Sequence, residues 1–243
     1  MSPARRRALV TGGSGGIGAA LCRRLALDGH YVYVHSRRGG DAAARVLADI
    51  RAAGGEASSV TFDITDGEAT RAALETVLEA GAIQILVNNA GLHDDAVLPG
   101  MSAAQWHGVI DVSVNGFFHA TQPLLLPMIR TRWGRIVNVS SIAALIGNKG
   151  QVNYAAAKGA LNSATKALAL EVATRGITVN AIAPGIIGSR MTEGLFDAEA
   201  IARLVPMNRM GLPEEVAGVV SFLASEDAAY VTAQVISVSG GMA

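Results

Sequence analysis

The chain has 243 residues, half of them hydrophobic and only 16% charged, with 28 glycines. Twenty basic side chains balance twenty acidic ones, so no net field draws the protein to nucleic acid or an anionic membrane. No run approaches the roughly 18 apolar residues that span a bilayer, "MSPARRR" meets glycine before a signal-peptide core forms, and Cys22 as the sole cysteine excludes an intrachain disulfide or multi-cysteine zinc site; the cytoplasm is the expected location.

In chain order, apolar β-branched runs alternate with longer segments of helical period. "RALVTG" reads as a buried strand, "GIGAALCRRLALDG" as a helix closed by Gly29, and "YVYVHS" as a second strand followed by a helix through "DAAARVLADIRAAGG". "SSVTFDIT" is the third strand, "GEATRAALETVLEAG" a helix, "IQILVNNAG" the fourth strand, and one long helical region covers about Ser102 to Arg130. "GRIVNVSS" is strand five, "QVNYAAAKGALNSATKALALEVATRG" a small-residue helix, "ITVNAIAPG" strand six; then follow a variable segment, the helix "PEEVAGVVSFLAS" and a last strand, "QVISVSGG". Continuous apolar strands alternating with helices predict an α/β fold: a single-domain, Rossmann-like, doubly wound parallel sheet of about seven strands with helices on both faces. Ligands then bind outside the carboxyl ends of the strands.

The motif "TGGSGGIG" joins the first strand to the first helix. Gly12, Gly16 and Gly18 allow the tight turn, the approach of backbone to a pyrophosphate, and close helix–strand packing; the helix N-terminus offers free N–H groups and a positive dipole end. Strand two ends in "HSRRGG", where Ser36, Arg37 and Arg38 present a hydroxyl and two guanidiniums and no carboxylate. Arginine suits a ribose 2′-phosphate, so this end points to NADP(H), against the plainer reading of a solvated basic loop. Asp63 in "FDITD" either bonds the adenine amino group or caps the next helix.

Tyr154 and Lys158 stand four residues apart and share a helix face. With "TGGSGGIG", "NNAG" at 88–91, Ser141, "YAAAK" at 154–158 and "APG" at 183–185, nearly the whole chain resembles a short-chain dehydrogenase/reductase. It is most similar to the 3-oxoacyl-[acyl-carrier-protein] reductases through "GRIVNVSS", "NYAAAKGAL", "GITVNAIAPG" and "AQVISVSGG". The resemblance implies NADPH-dependent reduction of a 3-oxoacyl thioester, carried on acyl-carrier protein, by a homotetramer. It implies that Tyr154 protonates the carbonyl oxygen, that Lys158 holds ribose hydroxyls and, together with the positive nicotinamide ring of the oxidised cofactor, lowers the phenol's pKa, and that Ser141 bonds the substrate oxygen where charge develops. Ser140, next to it, points the other way by strand alternation. Cofactor contacts are expected from Ser14 and Ile17 in the glycine loop, Ile64 beside Asp63, Asn88, Ala90 and Gly91 of "NNAG", and Pro184, Gly185 and Ile187 around the nicotinamide.

The family's fourth catalytic residue, an asparagine in the long helix, falls at Ser113 in "DVSVNGFF"; Asn115 faces the opposite way and cannot replace it. A serine that bonds back onto its helix would bend it, so the relay is expected to be altered rather than lost. The rivals are an NADP-dependent alcohol, sugar or steroid dehydrogenase and a catalytically weakened cofactor-binding subunit. Arg132 and Arg175 map to arginines that dock the acidic carrier near the active-site mouth in similar reductases. Residues 188–211 correspond to the substrate lid, where the methionines and Phe196 suggest an apolar acyl path. The five histidines show no metal spacing and are expected at loops or the surface; Trp106 and Trp133 are expected in packing.

Overall fold

A computed structural model describes residues 5–188, 194 and 197–243. Among them, β1 (Arg7–Val10), β2 (Tyr31–Ser36), β3 (Glu56–Thr61), β4 (Ile85–Asn88), β5 (Gly134–Val139), β6 (Ile177–Pro184) and β7 (Val235–Val238) form one sheet in the order β3-β2-β1-β4-β5-β6-β7. All neighbouring strands are parallel, as the fold class predicts. In register, Leu9 of β1 stands between Tyr33 of β2 and Leu86 of β4. The chain reverses direction across the sheet between β1 and β4, and such a switch point opens a crevice above the strand ends.

The two-residue period of the strands sorts their side chains onto two cores. Ala8, Val10, Val32, Val34 and Val87 pack on one face against α1 (Gly16–Leu27), α2 (Asp41–Ala52) and α9 (Pro213–Ala224). Leu9, Leu86, Ile136 and Val179 pack on the other against α3 (Gly67–Glu79), α5 (Gly116–Thr131) and α7 (Val152–Val172). Burying each such leucine contributes about 2 kcal/mol over leaving it exposed. Both β5 and β6 are buried along their whole length, which is why apolar residues stand on both of their faces, interrupted only by buried polar groups such as Arg135, Asn138 and Asn180.

Three elements differ from expectation. β3 starts at Glu56 and ends at Thr61; Phe62 and Ile64 leave the strand and join the core beneath α5. The long helical region is broken: α4 (Ala103–Ile110) passes into a π-helical turn, Asp111–Asn115, before α5 begins. That turn directs Ser113 inward, where it is buried, while Asn115 faces solvent and donates from Nδ2 to Asp111 Oδ1 at 2.7 Å. The variable segments contain short helices α6 (Ala143–Ile146) and α8 (Ala198–Leu204), the latter capped by the Asp197 carboxylate on Ala200 N–H. No helix among the described residues is long and apolar enough to cross a membrane.

Candidate active site

The predicted site residues converge because each follows the carboxyl end of a parallel strand. Gly12 lies beyond β1, Arg37 beyond β2, Asp63 beyond β3, Ala90 and Gly91 beyond β4, Ser141 beyond β5 and Gly185 beyond β6. Gly12 is in the left-handed region (φ +64°), and a Cβ on Gly18 would overlap the Gly12 carbonyl oxygen. Gly15 and Gly16 are exposed and Ser14 and Ile17 partly so. The α1 N-terminus has no side-chain cap, so its free N–H groups face outward. A loop without Cβ atoms, closed against itself and ending in an uncapped helix start, fits a nucleotide pyrophosphate.

Two residues that brace this loop were missed by the sequence reading. His35, expected at a loop or the surface, is buried in β2: Gly12 N–H donates to its Nδ1 at 3.0 Å, so Nε2 carries the proton and donates to Phe62 O at 3.0 Å. Its ring stacks on Phe62 with centroids 4.0 Å apart, and burial lowers its pKa, holding it in the neutral form this pattern requires. Asn89, rather than its neighbour Asn88, reaches the loop, donating from Nδ2 to the carbonyls of Thr11 (2.9 Å) and Gly12 (3.1 Å). The signal was present in "NNAG", but nothing in the spacing says which asparagine faces the glycines. Asn88 is buried and donates instead to Thr121 and Asn138, a sheet-supporting role.

At the end of β2, Ser36 Oγ accepts from Gly39 N–H (3.1 Å), and Arg37 and Arg38 are exposed. Arg37 Nε donates to Asp63 Oδ2 at 2.8 Å, so β3 brings a carboxylate to an end that reads as free of one in sequence. Asp63 does not cap α3; that task falls to Asp66, which accepts from Glu68 and Ala69 N–H. The reason is local: Asp63 Oδ1 is occupied by the amide and hydroxyl of Thr65, whose hydrogen bonds, with those of Arg37, depress its pKa. The Ile64 side chain is in the core and its carbonyl accepts from His119 Nδ1 (2.9 Å), so it can offer a ligand only its backbone.

The reactive centre lies on α7 and the turn after β5. The Ser141 hydroxyl favours ionisation of the Tyr154 phenol by hydrogen bonding. Lys158 is buried, its Nζ donating to Val139 O at 2.7 Å and lying 5.7 Å from the Tyr154 ring centroid. Ser140 points away as expected, donating to Lys158 O at 3.1 Å. A Cβ on Gly91 would stand 3.0 Å from Lys158 Nζ, so that glycine leaves the ammonium its room. The lowered phenol pKa expected with Lys158 and the oxidised cofactor together is not what the protein groups alone produce. Burial raises the Tyr154 pKa, the Ser141 hydrogen bond opposes it, and the Asp95 carboxylate raises it further. Burial also draws Lys158 down to about 8, and its proton is directed to a backbone carbonyl. The phenol is therefore protonated at neutral pH, the form a proton donor needs.

Ser113 is buried at the π-helical turn, and its hydroxyl has no hydrogen-bond partner among the described residues. It does not bond back onto the helix as anticipated; the bend comes from the π turn itself. Pro184 ends β6, Gly185 is packed so tightly on Ser239 that a Cβ would lie 2.8 Å from its Cα, and Ile187 is buried and bridges Gly211. Of the expected lid, residues 189–193, 195 and 196 lie outside the described residues, Met191 and Phe196 among them. The lid's trailing end is anchored where Arg209 pairs with Glu215 at 2.6 Å and Glu215 also accepts from Leu212 N–H, which together draw the Glu215 pKa to about 2. Arg132 and Arg175 are exposed, but they precede β5 and β6. They lie at the amino edge of the sheet, a strand's length from Ser141, and do not line this chain's own mouth. Trp133 packs as expected, between the guanidiniums of Arg6 and Arg135.

Residues 6–200 match the family model described as short chain dehydrogenase. The chain belongs to that family. Among curated relatives, this short-chain dehydrogenase is 44% identical to a 3-oxoacyl-[acyl-carrier-protein] reductase of Synechocystis sp., covering 97% of this chain and 96% of the relative. It is 41% identical to nodulation protein G of Azospirillum brasilense, covering 97% of each. A crystal structure of a provisionally assigned gluconate dehydrogenase from Agrobacterium tumefaciens superposes with TM-score 0.92 at 34% identity, over 98% of this chain and 95% of the other. As a short-chain dehydrogenase, the protein is a nicotinamide-dependent oxidoreductase acting on CH–OH and C=O groups.

Proposed function

We propose that the protein reduces a 3-oxoacyl thioester, carried on acyl-carrier protein, to the 3-hydroxyacyl thioester at the expense of NADPH. The observation that carries the reading is the grouping of Tyr154, its hydrogen-bonding neighbour Ser141 and the buried Lys158 beyond the carboxyl ends of the strands that also carry the glycine loop. Similarity to reductases named for this reaction supports the substrate class. A bound reduced nicotinamide supplies the hydride. This chain does the rest: Gly12 to Gly18 receive the pyrophosphate, Arg37 and Arg38 the 2′-phosphate, Lys158 the ribose hydroxyls, Ser141 the carbonyl oxygen, and Tyr154 the proton. The orphan hydroxyl of Ser113 preserves a polar site at the kink and gives a slower proton relay than an asparagine would.

A homotetramer in the cytoplasm completes the reading. Phe118 and Leu126 on α5 and Leu170 on α7 are exposed apolar side chains suited to helix packing between subunits. Arg132 and Arg175 would then guide a carrier toward a neighbouring subunit's cleft. The second reading, a sugar or alcohol dehydrogenase, is favoured by the structural likeness to the gluconate enzyme. Steady-state kinetics separate them: kcat/KM for a carrier-linked acetoacetyl group with NADPH is expected to exceed that for gluconate with NADP+, and the value with NADPH to exceed that with NADH, each by about tenfold or more. Preference for the polyol, or for NADH, contradicts the proposal.

A further inference from the structure

The loop after β4 carries a histidine that the reaction described above does not use. His93 lies beside Tyr154, ring centroids 6.4 Å apart and edge-on at 79°, with about a third of its side chain (32%) exposed. The loop is stitched to the start of α7. Ala96 N–H donates to Gly150 O (2.9 Å), Asn153 Nδ2 to Asp94 O (2.9 Å), and Gln151 Nε2 to Asp95 Oδ2 (2.9 Å). The other Asp95 oxygen, Oδ1, lies 3.2 Å from His93 Nδ1. A carboxylate only accepts, so Nδ1 carries a proton toward Asp95, and with a single ring proton Nε2 presents a lone pair. That nitrogen has no hydrogen-bond partner among the described residues.

An acceptor fixed next to the proton donor recognises an N–H on whatever extends from the reacting carbonyl. In a thioester of an N-acylated cysteamine, the arm shared by carrier-linked and coenzyme A substrates, an amide N–H stands six bonds from the carbon that receives hydride. We propose that His93 is a specificity-determining residue whose Nε2, held in register by Asp95 and Gln151, accepts that amide N–H and seats the thioester arm against Tyr154. The inference rests on the thioester reading above.

The test is steady-state reduction of acetoacetyl-N-acetylcysteamine, which has the N–H, against ethyl acetoacetate, a 3-oxo ester without it, by full-length protein with NADPH. His93→Phe keeps a ring and removes the lone pair; it is expected to raise KM for the thioester by about tenfold, with kcat and the ester's kcat/KM within about twofold. His93→Gln, which restores an acceptor at similar reach, recovers the thioester KM to within about threefold. Cofactor fluorescence and thermal melting check folding, and His93→Ala replaces the phenylalanine variant where that protein does not fold. Equal losses on both substrates, or none on the thioester, overturn the inference while leaving the thioester reading intact. A wild-type enzyme that reduces the ester and not the thioester overturns both.

Discussion

Tyr154→Phe is expected to lower kcat by about 10³-fold, within the range assigned to a positioned general acid, while NADPH binding changes by less than about threefold. The geometry separates the two effects. The substitution removes one oxygen at the cleft, and the cofactor's side of the site does not lean on it: Lys158 is held by the Val139 carbonyl, and the glycine loop by His35 and Asn89. Rapid-mixing measurement of NADPH oxidation, with cofactor affinity from fluorescence quenching, reads both quantities. A variant that retains more than about a tenth of wild-type kcat would mean that the proton comes from elsewhere.

Gly18→Ala is expected to damage the other half of the site. The new methyl group would overlap the Gly12 carbonyl oxygen and stand 2.7 Å from Asn89 Nδ2. Both belong to the segment that shapes the loop, so neither can yield without moving the turn. Overpacking of this kind costs about 1–3 kcal/mol, which for a chain of this size lowers Tm by roughly 2–12 °C. The cofactor dissociation constant is expected to rise at least about tenfold, because the free N–H groups at the start of α1 are displaced with the loop. Calorimetry and a fluorescence titration check it; an unchanged affinity would show that the loop does not hold the cofactor.

The contrast between these two positions shows what a sequence can and cannot carry. The strand–loop–helix context of "TGGSGGIG" and the order of the strands are local patterns, and both were legible: seven parallel strands place the glycines and the Tyr154 helix at one edge of the sheet. The misreadings involve partners distant in sequence. His35 is one residue of an apolar strand until Gly12 and Phe62 close around its two nitrogens. Arg37 appears free of carboxylates until β3 pairs with β2 and carries Asp63 alongside. Among the protein's own groups, burial and the Asp95 carboxylate, distant in sequence, raise the Tyr154 pKa against the Ser141 hydrogen bond, a balance that the one-turn spacing to Lys158 does not reveal. The π turn at Ser113 is hidden in the helical period because α4 before it has only 8 residues, too few to fix a stripe of its own against which the roughly 100° rotation of α5 would show. Arg132 and Arg175 were assigned to the mouth by resemblance; strand direction puts them at the opposite edge.

Reduction in this cleft requires that hydride and proton meet on one ketone carbon and its oxygen. Product analysis by mass spectrometry, after reaction of the protein with an acetoacetyl thioester and NADPH deuterated at both C4 positions, follows that event itself. The expected product is the 3-hydroxybutyryl thioester with a single deuterium on C3, formed by the wild type and formed about 10³-fold more slowly by Tyr154→Phe. Unreacted ketone with the wild type, or an unlabelled C3, would contradict the account.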